Sequence, residues 1–508
     1  MVHRDVARDF PDYLRDESRM VGEAASISFP ETVEEAAETL AQMHAHRIPV
    51  TIQGARTGIT GGAVPQGGHV LNLSRMRRVL GLRRGEGCYT VQVEPGVVLS
   101  ELTDRLHAGT FETAGWDAES LEALRMLAED REHFLPPDPT ESTASLGGMI
   151  SCNASGSRTY AYGATREYVQ ALTVLLADGA TVRLERGRDR ARGRSFQIAG
   201  HTGLVPSYRM PQVKNASGYF AREDMDLVDL FVGAEGTLGV VVAADLRLVP
   251  FPASVWGVTA FLPSPQAALG FVHAARELPA EARPVAIEYF DANALELLHL
   301  HSQIELPGAP EPGRSAVYVE YHGESEEEVT GKIMAMTEAL QECGGNEEET
   351  WIASGAAELG RLRDFRHAVP ESVNRLIDER RRTDPSITKL GTDMAVPDEC
   401  LEAVFAMYRR DLERLELEHA IFGHIGNNHV HVNILPADGG QYERGKELYA
   451  VWAEEVIRMG GTISAEHGVG KLKRELLLRM YGPAGIEEMR AVKRSLDPSG
   501  ILNPGNLF

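Results

Sequence analysis

Gly54-Ala55-Arg56-Thr57-Gly58-Ile59-Thr60-Gly61-Gly62 follows a short apolar run, Ile48-Pro49-Val50-Thr51-Ile52, that reads as a buried strand. Glycines at this density let successive backbone N–H groups face one concavity, an arrangement that binds phosphate oxygens. The spacing is not G-x-G-x-x-G, and Ala63-Val64-Pro65 leads toward another strand and not into a helix. A Rossmann turn is therefore excluded. Taken alone, such a loop is as often an ordinary surface turn.

A second stretch sharpens the reading. Pro136-Pro137-Asp138-Pro139 is rigid and turn-forming. Ser142–Ile150 then offers hydroxyls and small residues at the start of a helix, and Cys152-Asn153-Ala154-Ser155-Gly156-Ser157 adds another segment that a flat ring can approach closely.

Far downstream, Ile421–Asn428 reads as a strand and a turn, and His429-Val430-His431-Val432-Asn433-Ile434 alternates. Period two puts His429, His431 and Asn433 on one face and the valines on the other. The turn can bring His424 back against His431, and Glu466 arrives from the separate loop 462–470. Two imidazoles and one carboxylate leave coordination positions open, as a substrate-binding metal requires. The donor set points to Zn²⁺ first, with Mn²⁺ or Fe²⁺ as alternatives. The bland reading of each piece is a hydrogen-bonded histidine, or a glutamate at the start of the helix anticipated over 471–476.

Composition bounds the function. A formal charge of −23 argues against nonspecific nucleic-acid binding, so an anionic substrate needs a local cationic site. The four cysteines form no C-x-x-C pair, which argues against an iron–sulfur cluster or a cysteine-based zinc site and fits a reducing compartment. The N-terminus lacks an apolar signal core, and no stretch approaches a membrane span, so a cytoplasmic protein is expected. The basic run 183–194 reads as a solvated loop, with peripheral docking to an acidic partner or membrane as the sharper alternative. Thr32 and Ser325 are candidate N-caps ahead of acidic first turns. The predicted organisation is α+β, in segments 1–252, 253–463 (an antiparallel sheet with helices) and a C-terminal helical segment, 464–508, returning to the first.

Together with Lys214-Asn215-Ala216-Ser217-Gly218-Tyr219, Gly233–Gly239 and Leu502-Asn503-Pro504-Gly505, these motifs resemble the vanillyl-alcohol oxidase (PCMH) type of FAD-binding protein. The resemblance is to the D-lactate dehydrogenase, glycolate oxidase and D-2-hydroxyglutarate dehydrogenase group. It implies a PCMH-type FAD domain and a substrate cap. It places FAD against Ala55, Arg56, Thr57, Gly58, Ile59, Thr60, Pro137, Asp138, Thr143, Gly148, Ser155, Gly156, Val240 and Asn503. The glycine loop holds no histidine, so noncovalent FAD is expected. The metal ligands fall on His424, His431 and Glu466, the base on His467, and the carboxylate contacts on Arg366, Lys389 and Asn433. Two departures stand out. Relatives commonly carry Gly-Asp-Gly-Asn where this chain has Gly426-Asn427-Asn428-His429, which leaves His429 open as a ligand, a base or a packing residue. They often have Thr where Pro370 sits.

The implied reaction is metal-assisted oxidation of a D-2-hydroxy acid, D-lactate first and glycolate or D-2-hydroxyglutarate next. His467 takes the hydroxyl proton, hydride passes to flavin N5, and electrons leave to a quinone, a cytochrome or an electron-transfer flavoprotein. A non-redox transferase of the alkyl-dihydroxyacetone-phosphate synthase type is the alternative on the same fold, and a non-catalytic flavin-binding subunit is the third.

Overall fold

The computed structural model describes residues 2–85, 87–302, 304 and 313–508. Among the described residues, three larger sheets and a two-stranded ribbon, Ser195–Ile198 with His201–Leu204, build it. A four-stranded sheet runs in the order Val2–Arg4, Ser26–Ser28, His69–Asn72, Val50–Gln53, parallel except for its first pair. A six-stranded antiparallel sheet is centred on the long strand Val240–Pro250, flanked by Cys88–Val93 and Val169–Leu175. An eight-stranded antiparallel sheet begins at Ser254–Leu262 and ends at His429–Ile434 and the short strands Leu390–Gly391 and Met394–Ala395.

The eight-stranded sheet is covered on both faces, and strand alternation explains why. Val317, Val319 and Tyr321 pack in one core with Phe271 and Val272 of the helix Pro265–Glu277 and with Val329 and Ile333 of Glu326–Glu342. Ala316 and Tyr318, pointing the other way, pack with Leu298 of Ala292–His301 and with Phe365 and Val369 of Ala356–Arg381. The fold is α+β, as expected. Thr32 and Ser325 cap their helices, each accepting from the N–H three residues on at 3.2 Å.

Two elements start later than the sequence suggests. The strand anticipated from Thr237 begins at Val240, because Gly233, Glu235 and Gly236 turn through positive φ. The helix anticipated from Lys471 begins at Arg474, since Gly468 and Gly470 are left-handed, at φ 74° and 53°. Five arginines of the basic run 183–194 are paired with acids of this chain. Arg183 pairs with Asp245, Arg186 with Asp229, Arg188 with Asp189, Arg190 with Asp226 and Arg194 with Glu488. The run begins inside the strand Thr181–Glu185 and continues as a loop. Among the described residues no helix is long and apolar enough to cross a membrane.

The C-terminal segment closes back on the glycine-loop strand. Val50 N–H donates to Ile501 O at 2.7 Å, and Asn503 N–H donates to Val50 O at 2.8 Å. Asn503 then bridges two segments with its amide: Oδ1 accepts from Ile52 N–H at 2.7 Å and Nδ2 donates to Glu235 O at 2.6 Å. Asn503→Ala leaves Ile52 N–H unpaired and Glu235 O with only the longer bond from Asn506 Nδ2 at 3.4 Å, in a buried site, and should cost about 1–3 kcal/mol. Urea denaturation of the protein checks this; a loss below about 0.5 kcal/mol would show that the clamp contributes little.

Candidate active site

The strand His419–Gly423 ends at Gly423, whose φ of 133° and tight approach to His431 leave no room for a side chain: a Cβ there would lie 3.0 Å from His431 Cδ2. A 3₁₀ turn follows over Ile425–Asn427, Asn428 takes φ 52°, and the strand His429–Ile434 returns antiparallel with His431 opposite Phe422. Arg276 braces this turn from the cap helix. Its guanidinium donates to Ile425 O, to Gly426 O at 3.1 Å and to Asn428 Oδ1 at 2.5 Å.

The loop 464–468 meets that hairpin. Glu466 Oε2 lies 3.4 Å from His424 Nε2 and 3.9 Å from His429 Nδ1; Oε1 lies 3.5 Å from His431 Nε2 and 3.4 Å from His467 Nε2. His424, His429, His431 and Glu466 each offer a ligand atom within 4.8 Å of the others. Lys214 Nζ donates to Glu466 Oε2 at 2.6 Å from the flavin-domain side.

Burial alone would raise the Glu466 carboxyl, but Lys214, His424 and His429 hold it well below the usual range. Burial and Lys214 would lower His424, yet Glu466 and Glu288 bring it up to about 9. Burial pushes the His429 and His431 imidazoles down, keeping them neutral as metal ligands must be. Nδ1 of His424 and both ring nitrogens of His429 are buried without an aligned hydrogen-bond partner. The nitrogens that face Glu466, His424 Nε2, His429 Nδ1 and His431 Nε2, group around an anionic carboxylate and fit a divalent cation, which would displace the His424 proton.

Asp393 organises the loop. Its carboxylate accepts from Ala465 N–H and Glu466 N–H at 3.2 Å, His467 N–H at 3.1 Å, Ser464 Oγ at 2.7 Å and Lys473 Nζ at 2.5 Å. It also lies 3.1 Å from His467 Nδ1 and 3.0 Å from His429 Nε2. Burial would raise this carboxyl; His467, Lys473 and the His429 contact hold it well below the usual range.

Arg366 projects from the helix Ala356–Arg381 into the same region, where Nη2 donates to Ser157 Oγ at 3.0 Å and the guanidinium pairs with Glu288. Glu288 Oε1 in turn lies 2.9 Å from His424 Nδ1. Burial would raise Glu288, but Arg366 and His424 bring it down to about 2. Pro370, one turn on, removes the N–H that would bond the Arg366 carbonyl. Lys389 has no ion pair among the described residues, and burial with nearby Arg19 lowers it to about 8. Asn433 Nδ2 donates to His431 O at 3.1 Å, beside the Gly391 backbone.

On the flavin side, Ala55 N–H donates to Ser145 Oγ at 3.3 Å, and Gly54 lies close beneath that hydroxyl: a Cβ would sit 2.2 Å from it and displace it. The N–H groups of Arg56, Thr57, Gly58 and Ile59 have no acceptor among the described residues, which suits phosphate oxygens. Arg56 stacks on Tyr13, Ile59 is exposed, and Thr60 O accepts from Lys471 N–H at 2.9 Å. Gly156 lies against Asp138, where a Cβ would be 2.0 Å from the carbonyl oxygen; burial raises the Asp138 carboxyl. Ser155 Oγ is a buried orphan beside it. Pro137 is buried, and Gly148 N–H donates to Ser145 Oγ. Thr143 is exposed and bonded to Glu141. Val240 lies in the core with Val50 and Leu502, while Asn503 is the clamp described above. These orphaned donors and tight glycines fit a dinucleotide.

Sequence reading missed Asp393, Glu288 and Lys214 as partners of the site. Lys214 lay inside a motif already singled out and Asp393 four residues after Lys389, but nothing local marked whom they would meet.

Matches to known families agree with this geometry. Residues 252–507 match the model of the C-terminal domain of FAD linked oxidases, and residues 24–117 and 118–185 match an FAD binding domain. The probable mitochondrial D-lactate dehydrogenase of Danio rerio is 30% identical over 95% of this chain and 84% of its own length. The D-lactate dehydrogenase of Anaerostipes hadrus is 29% identical, covering 98% and 92%. The D-2-hydroxyglutarate dehydrogenase of Stutzerimonas stutzeri is 27% identical, covering 95% and 91%. A solved alkyldihydroxyacetonephosphate synthase superposes with a TM-score of 0.64 over 99% of this chain and 82% of that one; at 15% identity it establishes the fold alone. The chain belongs to the FAD-linked oxidase family, among the FAD-linked 2-hydroxy acid dehydrogenases, and is an FAD-binding enzyme.

Asp393→Asn removes the one anion that, among the described residues, is shared by His467, the 464–467 loop and Lys473. It should destabilise the protein by about 3–5 kcal/mol, the cost of breaking a buried charge cluster. Chemical denaturation monitored by flavin and tryptophan fluorescence measures it, and a loss under 1 kcal/mol would contradict the role assigned here.

Proposed function

We propose that the protein oxidises a D-2-hydroxy acid to the 2-oxo acid and passes the electrons to a separate acceptor, a quinone, a cytochrome or an electron-transfer flavoprotein. D-lactate is the favoured substrate, with glycolate and D-2-hydroxyglutarate as alternatives. The observation that carries this reading is the meeting of His424, His431, Glu466 and His467 in one cluster, with Arg366 joined to it through Glu288.

Noncovalent FAD, when bound, accepts the hydride from the substrate Cα, and a divalent cation, Zn²⁺ with Mn²⁺ or Fe²⁺ as alternatives, polarises the substrate hydroxyl. In this reading the flavin-binding segment 1–252 carries the glycine loop, 253–463 supplies the cap, and 464–508 brings in Glu466 and His467. His424, His431 and Glu466 hold the cation. Arg366, Lys389 and Asn433 receive the substrate carboxylate; the guanidinium fork suits a bidentate contact, and Lys389 supplies an unpaired charge. His467 takes the hydroxyl proton at Nε2, while Asp393, 3.1 Å from Nδ1, fixes the tautomer and steadies the imidazolium. The transferase alternative has only the shared fold behind it.

Adding D-lactate anaerobically to the purified holoenzyme should bleach the flavin. His467→Ala should slow that reduction by about 10²–10⁴-fold with FAD retained. Reduction within a few-fold of wild type would remove His467 as the base.

Lys389 should also imprint a pH limb on substrate binding. With its pKa lowered to about 8, the ammonium is present below that pH and lost above it, so the attraction for a carboxylate fades as pH rises. The ratio kcat/KM should fall above pH 8 by about tenfold per unit, and Lys389→Met should flatten that limb while lowering kcat/KM at pH 7. An unchanged alkaline limb in the variant would assign it to another group.

A further inference from the structure

The position where relatives commonly have Asn is His429 here, and nothing in the proposed ligand set uses it. Its ring is fully buried. Strand alternation places it on the same side as His431, with ring centroids 4.6 Å apart, and 5.6 Å from the His424 ring. Nδ1 looks toward Glu466 Oε2 at 3.9 Å, and Nε2 faces Asp393 Oδ1 at 3.0 Å. Nδ1 has no hydrogen-bond partner among the described residues.

A buried histidine that serves only packing keeps its polar atoms bonded, because an unmet one costs about 1–3 kcal/mol. Here one nitrogen points at a cluster of two imidazoles and a carboxylate, and a carboxylate stands behind the other. Imidazoles that bind metals carry such a backing carboxylate, which fixes the tautomer and raises ligand basicity. Ligands bound at about 2.0–2.2 Å bring neighbouring donor atoms to within roughly 3–4 Å of each other. The separations of 3.4, 3.5 and 3.9 Å from Glu466 to His424, His431 and His429 lie in that range.

Resting on the metal reading above, we propose that His429 is a fourth protein ligand, through Nδ1, so that this chain builds a three-histidine, one-carboxylate metal site. The consequence is a choice of metal. Four protein ligands fill a tetrahedral Zn²⁺ ion and leave no place for a substrate. A hydroxy acid that chelates through its hydroxyl and carboxylate needs two more positions, so the ion must be six-coordinate. Mn²⁺ or Fe²⁺ then suits this chain better than Zn²⁺. Asp393 acquires a second duty, since it backs both the extra ligand and the base.

The test uses the full-length, flavin-loaded protein and Mn²⁺ alone. Pulsed electron paramagnetic resonance of the wild-type Mn²⁺ protein should give couplings from three imidazole nitrogens. His429→Asn should give two and bind Mn²⁺ at least tenfold more weakly, with its flavin content and melting temperature marking a folded variant. Two imidazole couplings in the wild type, or no Mn²⁺ bound at millimolar concentration, overturn the proposal. So does a folded variant with unchanged coupling count and affinity. If the variant fails to hold FAD, the nitrogen count of the wild type decides. Three couplings without flavin bleaching by any D-2-hydroxy acid would uphold the site and sink the proposed reaction; bleaching with only two would do the reverse.

Discussion

The Asp393 carboxylate is buried, and five groups donate to it: the N–H groups of residues 465, 466 and 467, the Ser464 hydroxyl and the Lys473 ammonium. A buried anion is tolerable only when its acceptor sites are filled, and here filling them fixes the course of a loop. Three successive N–H groups bent onto one carboxylate turn the 464–467 backbone so that Glu466 and His467 face the histidine hairpin. The left-handed Gly468 and Gly470 then let the chain leave toward the last helix. The acid sits at the edge of the eight-stranded sheet, next to Met394–Ala395, which pairs with the strand bearing His429 and His431. One charge therefore sets the two halves of the candidate site relative to each other.

A chain of alternating charges extends from that point. Lys214 meets Glu466, Glu466 meets His424, His424 meets Glu288, and Glu288 meets Arg366. Each contact joins segments far apart in sequence, and each member is largely buried. The arrangement answers a difficulty posed by a protein of net charge −23 that is to receive an anion. Bare cations in a buried cleft would be costly, so Lys214 and Arg366 are each held by a carboxylate. Lys389 is the exception, with burial lowering its pKa for want of such a partner. A substrate carboxylate is the kind of group that would restore its charge.

What the sequence made legible was local. The glycine loop, the period-two histidine strand and the caps at Thr32 and Ser325 announce themselves within a few residues, and each fell where its spacing said. What it hid was pairing at long range. Asp393 is one of many single acids, and its neighbours in space are some seventy residues away in the chain. Lys214 and Glu466 stand further apart still, and Glu288 lies mid-strand with no pattern around it. Local signals also misplaced the starts of Val240–Pro250 and Arg474–Leu496, because positive-φ residues ahead of them hold the chain in turns. The basic run 183–194 looked like free charge only because its acidic partners, such as Asp226, Asp229 and Asp245, lie elsewhere in the chain.

The hairpin that carries the histidines illustrates how one residue's identity is constrained by its neighbours. Val430 and Val432 enter the main core, so His429 and His431 must face the opposite way. Asn428 adopts the left-handed conformation that asparagine tolerates, and its amide is gripped by Arg276, Asp398 and Val396 O. With the turn locked on one side and the valines on the other, the strand cannot rotate to take His429 out of the cluster. An imidazole at this position is therefore held among the other ligand atoms whether or not an ion is present. Its neutral form, favoured by burial and Lys214, keeps it from repelling a cation there.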